Sequence, residues 1–110
     1  MTQHKKHREH LSHFMISGFT YYEGALVFKE LQVGTELSLK YEEDNKFDAR
    51  AIAIYYKAHK LGFVPRSENR IIYKLMKVGF SNLEIRIQQV DPQAHPEEQV
   101  GVVVHLVSNK

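Results

Sequence analysis

Leu37, Leu39 and Tyr41 alternate with Glu36, Ser38 and Lys40, and this period of two constrains the fold more than any other feature of the chain. Side chains on a strand point to opposite faces in turn, so residues 36–41 read as a half-buried strand with one apolar face. Residues 51–56 are its expected partner, and residues 61–64 add a third strand that Pro65 ends. The connection EEDNKFDARAI, Glu42 to Ile52, is longer than a two-residue hairpin and rich in Asp and Asn. Those side chains bond neighbouring amides and favour an ordered turn. Asn45, Phe47 and Asp48 are thereby expected on a rigid polar edge between two strands, a place where function concentrates.

The rest of the chain fits around this meander. Residues 1–12 are polar, carry His, Lys and Arg without a periodic apolar face, and read as a flexible arm. Residues 14–17 are an expected first strand, with Tyr21 and Tyr22 near its end and a short helical turn within 25–31. Ser67 is placed to cap a helix running to about Val78, because Ile71, Ile72, Leu75 and Met76 recur at helical spacing and Gly79 can stop it. Its outer face would carry Arg70, Lys74 and Lys77. Leu83, Ile85 and Ile87 alternate in a fifth strand, residues 91–98 form a loop with Pro92 and Pro96, and residues 100–107 make a β-branched final strand. The expected fold is mainly β with one or two short helices, an OB-like small β-barrel of about six strands within a single domain, 13–110.

Composition narrows the function. With 110 residues, 43% hydrophobic and 25% charged, the chain is one globular domain able to bury a core. Cysteine is absent, which removes disulfides, thiolate zinc sites and thiol catalysis and fits a cytoplasmic setting. No apolar run approaches the roughly 18 residues of a membrane span, and the N-terminus lacks the apolar middle of a secretory signal. Net charge is only +2, yet it is unevenly placed. Residues 51–80 hold six Lys and Arg against Glu68 alone, whereas residues 14–43 hold two Lys against five Glu. One segment can therefore supply a basic face for a polyanion.

Three metal readings are weaker. Asp44, Asn45 and Asp48 resemble the start of a calcium loop, but Ala49 and Tyr55 stand where that loop needs Gly and Glu. Glu42, Glu43, Asp44 and Asp48 could hold Mg²⁺ in a nuclease, although an alternating strand turns Glu42 and Glu43 to opposite faces. His4, His7, His10 and His13 recur every third residue, a chelating spacing if that segment were helical. No cofactor or metal is expected, and without a nucleophile beside a matched base the chain reads as no enzyme.

Three blocks in order, GFTYYEG at 18–24, VGTELSLKYEEDNKFDARAIAIYY at 33–56 and KLGFVPR at 60–66, resemble the HIRAN domain. That module is found at the N-terminus of certain Swi2/Snf2-type DNA translocases and as short free-standing bacterial proteins. The resemblance implies a modified OB-like barrel whose groove captures the 3′-hydroxyl end of single-stranded DNA, in the setting of DNA repair with a DNA-processing protein as partner. Tyr21 matches an aromatic against which a terminal base stacks, with Tyr22 beside it. Asn45, Phe47 and Asp48 match the loop enclosing the last nucleotides, Asp48 being the carboxylate on the terminal hydroxyl. Phe47 keeps the π-face of a tyrosine but not its hydroxyl, and Arg66 stands where relatives place a phosphate-binding lysine. Lys60 would add charge. Thr20 and Phe63 depart from the pattern, standing where relatives carry an arginine and a histidine. The alternative reading is a protein-interaction module on the same fold, using Phe63, Phe47, Tyr21 and Tyr22 as an apolar patch.

Overall fold

The computed structural model describes residues 7–108. Six strands, β1 (Arg8–Met15), β2 (Glu36–Tyr41), β3 (Ile52–Tyr56), β4 (His59–Phe63), β5 (Leu83–Val90) and β6 (Val100–Val107), form one antiparallel sheet in the order β1-β6-β5-β2-β3-β4. Helix α1 (Gly24–Val27) continues into a 3₁₀ turn at Phe28–Glu30, and α2 (Asn69–Lys77) follows β4. β2 makes the sheet curl, because it pairs with β5 only at Glu36 and Leu37 and with β3 along Ser38–Tyr41. The two ends of the order meet just beyond β1, where Ser17 and Phe63 exchange two backbone hydrogen bonds of 2.9 Å. A single bridge, rather than a ladder, thus joins the edges of a barrel-like sheet.

The core lies inside this curl. Ile52 and Ile54 on β3, Leu61 on β4, Ile85 and Ile87 on β5, and Val102 and Val104 on β6 are buried there, with Ile72 of α2 among them. Fully burying side chains of this size contributes roughly 1.5–3 kcal/mol each. α2 ends in a left-handed Gly79, whose amide bonds the Met76 carbonyl while the Phe80 amide bonds that of Leu75. That double bond satisfies carbonyls the helix leaves open.

The N-terminal expectation needs correction. Residues 8–12, read as part of an arm, belong to β1, which pairs with β6 from Arg8↔Val107 to Met15↔Gly101. Strand pairing uses backbone groups, so an edge strand beside the apolar β6 needs no alternation of its own. A bulge between His10 and Ser12 shifts the register, and His10 Nε2 and His13 Nδ1 lie 2.9 Å apart. The helical His spacing does not form over residues 8–15, and His4 lies outside the described residues. Among the described residues no group of three His, Cys, Asp or Glu could hold a metal. Ser67 is not the cap: α2 starts after Glu68, without a side-chain cap.

β1 is also tied across the sheet by charge. The nearly buried Glu84 accepts a 2.8 Å hydrogen bond from Arg8 Nε and lies 3.1 Å from Arg86 Nε. Hydrogen bonds from Arg8 and then Arg86 outweigh burial and hold the Glu84 carboxyl down at about 2, from an ordinary 4.5. A lowered carboxyl pKa stabilises the fold above the ordinary value, and that stability disappears as pH falls from about 4.5 toward about 2. Both guanidinium groups are open to water, so Glu84→Gln should cost about 2 kcal/mol near neutrality. Urea unfolding checks this: the gap between wild type and variant should close at about pH 2, and a gap independent of pH would mean the ion pair is not its source.

Candidate functional site

The loop between β2 and β3 is built by its own side chains. Asn45 Oδ1 accepts the amides of Phe47 (2.8 Å) and Asp48 (2.9 Å), and its Nδ2 donates to Glu42 at 3.1 Å. Asp48 Oδ1 accepts the Arg50 amide at 2.9 Å. These are the Asx bonds that the sequence chemistry anticipates. Their effect is to lift the Phe47 ring into solvent, 86% exposed, while Asp48 stays recessed with its side chain 19% exposed.

A residue the sequence reading passed over fixes Asp48. Asn69, 1% exposed at the start of α2, donates from Nδ2 to Asp48 Oδ2 (2.9 Å) and to the Arg50 carbonyl (3.0 Å). Asn69 lies three residues before the buried Ile72, on the stripe that α2 turns to the core, so a polar side chain there needs partners. Spacing alone could have flagged it. Arg66 spans the mouth: its Nη2 donates to the Phe47 carbonyl at 2.7 Å, and its Nε lies 3.7 Å from Asp48 Oδ2.

Across from the loop, Tyr22 and Phe63 meet edge to face, ring centres 5.6 Å apart. Lys60 Nζ sits 4.7 Å from the Tyr22 ring centre and 4.3 Å from that of Phe63. It also lies 2.6 Å from Glu42 Oε2. Burial pushes the Glu42 carboxyl up, but hydrogen bonds from Lys60 and Asn45 outweigh it and hold the group below its ordinary value. Lys60 therefore props the aromatic wall with its charge balanced. The tyrosine segment is held from two sides: the Glu23 amide bonds the Lys60 carbonyl at 2.9 Å, and the Gly18 amide donates to Glu97 Oε1 at 3.0 Å. Glu97, in a segment read as plain loop, is a second positioning group without a sequence signal.

Tyr22, Asn45, Phe47, Asp48, Phe63 and Arg66 line one open groove of about 220 Å³, together with Ser17 at the seam. Six of the eight residues singled out in the sequence thus converge. Tyr21 is 81% exposed outside this lining, and Lys60 stands behind it. Thr20 lines a separate apolar hollow with Phe19, Phe28 and Pro96. No helix is long and apolar enough to cross a membrane among the described residues.

A profile of the HIRAN domain matches residues 11–107. The chain belongs to the HIRAN family. HIRAN domains are binding domains, generally for DNA. No curated protein matches this HIRAN chain. Among solved structures it is similar to a structural-genomics protein from Lactobacillus plantarum, with a TM-score of 0.80 at 22% identity over 96% of this chain and 100% of that one. At that identity the likeness speaks for the fold, the six-stranded architecture described above.

Proposed function

We propose that this HIRAN domain binds single-stranded DNA by capturing its 3′-hydroxyl end in the groove between the β2–β3 loop and β4. The observation that carries the reading is the recessed Asp48 carboxylate, held by Asn69 and Arg50 beneath an exposed Phe47 ring and next to Arg66. A carboxylate has about four acceptor positions, and the protein fills one on each oxygen, so a terminal hydroxyl can still donate to it. Stacking on Phe47 adds roughly 1–3 kcal/mol per base without sequence preference. Arg66 keeps most of its donors for a phosphate. Phe63 in place of a histidine supports an apolar wall against Tyr22, which leaves discrimination of the end to Asp48.

Titration of oligonucleotides ending in 3′-hydroxyl or 3′-phosphate tests this. The hydroxyl end should bind about tenfold more tightly, the worth of one hydrogen bond to a charged group, because a 3′-phosphate faces Asp48 with like charge. Asp48→Ala should bring the two ends to within about threefold of each other. Equal affinity of the wild type for both ends would remove end capture. Absence of binding at low salt would remove nucleic acid as the ligand and favour the protein-interaction alternative.

A further inference from the structure

Three stretches of surface adjoin the end groove, at Asn45, at the Tyr22–Phe63 wall and at Arg66, and they differ in charge. One passes Asn45 into a hollow of about 400 Å³ lined by Glu42, Glu43 and Asp44 with Lys40. A second passes the Tyr22–Phe63 wall, where Lys60 is balanced by Glu42 and where Glu23 stands 3.6 Å from His59. The third begins at Arg66, whose neighbour in the chain, Ser67, lines with Arg70 and Lys74 a separate groove of about 370 Å³ along α2. Arg70 and Lys74 are exposed and enter no ion pair among the described residues. They lie one turn apart on one helix face, about 6 Å along the axis. The single carboxylate in that lining, Glu68, accepts the Ser12 hydroxyl at 2.7 Å.

We propose that a single strand whose 3′ end sits at Asp48 leaves the groove across α2, its phosphates 5′ to the end held by Ser67, Arg70 and Lys74. The inference rests on the end-capture reading and adds to it a direction and a second site. A polyanion follows the exit of positive potential and is repelled from the acidic one. Free Arg and Lys along that path bind phosphate by releasing counterions, so this part of the affinity is sequence-independent and salt-sensitive.

Calorimetry with a thymidine dinucleotide and a decamer, both ending in 3′-hydroxyl, separates the two sites. The wild type should bind the decamer more tightly, and the double variant R70Q/K74Q should lose most of that gain while its dinucleotide affinity stays within about twofold of wild type. Its decamer salt slope should become shallower by about 1.4, from two lost single-strand phosphate contacts. The charge-matched control K29Q/K40Q should keep the length gain. A full gain in R70Q/K74Q, or an equal loss in the control, overturns the path while leaving end capture standing. The same dinucleotide carrying a 3′-phosphate is the third ligand: if the wild type binds it as tightly as the 3′-hydroxyl form, end capture is overturned and the path falls with it.

Discussion

Gly62→Val should be the most damaging single change outside the loop, lowering stability by about 4 kcal/mol and the melting temperature by roughly 15 °C. Gly62 has φ +149°, and a Cβ built on it would lie 2.4 Å from the Ser17 carbonyl oxygen and 2.7 Å from Ile16 Cγ2. That carbonyl accepts the Phe63 amide in the bridge joining the first and last strands of the order. The collision is with backbone, so no rotamer relieves it; the bridge must part, and with it the seam from which Ser17 and Phe63 enter the groove. Gly79→Ala provides the comparison, since Gly79 also has positive φ (+85°) but nothing within 4 Å of its Cβ position. That variant carries conformational strain alone, about 1 kcal/mol. Thermal and denaturant unfolding of both separate the steric component, and a Gly62 variant no less stable than Gly79→Ala would mean the bridge does not hold the sheet together.

The parts of the fold legible in the sequence are those whose signal is local. β2 follows from its alternation, the ordered turn after it from Asn45 and Asp48, and the stop of α2 from Gly79; each rests on chemistry within a few residues. β1 was illegible over Arg8–Ser12 because its reason for being a strand is β6, more than 80 residues away, and the Arg8–Glu84 bond. The start of α2 was misplaced for a related cause. Ser67 is a good cap by type, but the helix is oriented by Asn69 reaching Asp48 and Arg50, which moves the buried stripe onto Asn69, Ile72, Tyr73 and Met76 and leaves Ile71 47% exposed. The candidate site divides in the same way: Asn45, Phe47, Asp48 and Arg66 were readable by type and position, whereas the roles of Asn69, Glu97 and Glu42 depend on distant partners.

Asn69→Leu should therefore act on stability and binding together. The substitution keeps the branched shape, though with larger methyl groups, and removes the Nδ2 donor, leaving Asp48 Oδ2 without its hydrogen bond and the Arg50 carbonyl without its asparagine partner; Asp48 Oδ1 keeps the Arg50 amide. Each orphaned acceptor costs about 1–3 kcal/mol, so a total near 3 kcal/mol is expected. A merely structural asparagine would lower stability and leave the ratio of affinities for 3′-hydroxyl and 3′-phosphate ends unchanged. If it positions Asp48, the ratio should fall toward that of Asp48→Ala even at temperatures where the variant is fully folded. Asn69→Asp sharpens the test, because it is nearly isosteric and sets a second carboxylate against the first. Two such groups share a proton, which raises one pKa. Charge repulsion should open the loop near neutrality, and as pH falls through that raised pKa the shared proton should restore the hydrogen bond, loop order and part of the end preference. A preference that stays flat with pH in Asn69→Asp, or survives intact in Asn69→Leu, would show that the buried asparagine supports the fold without aiming the carboxylate.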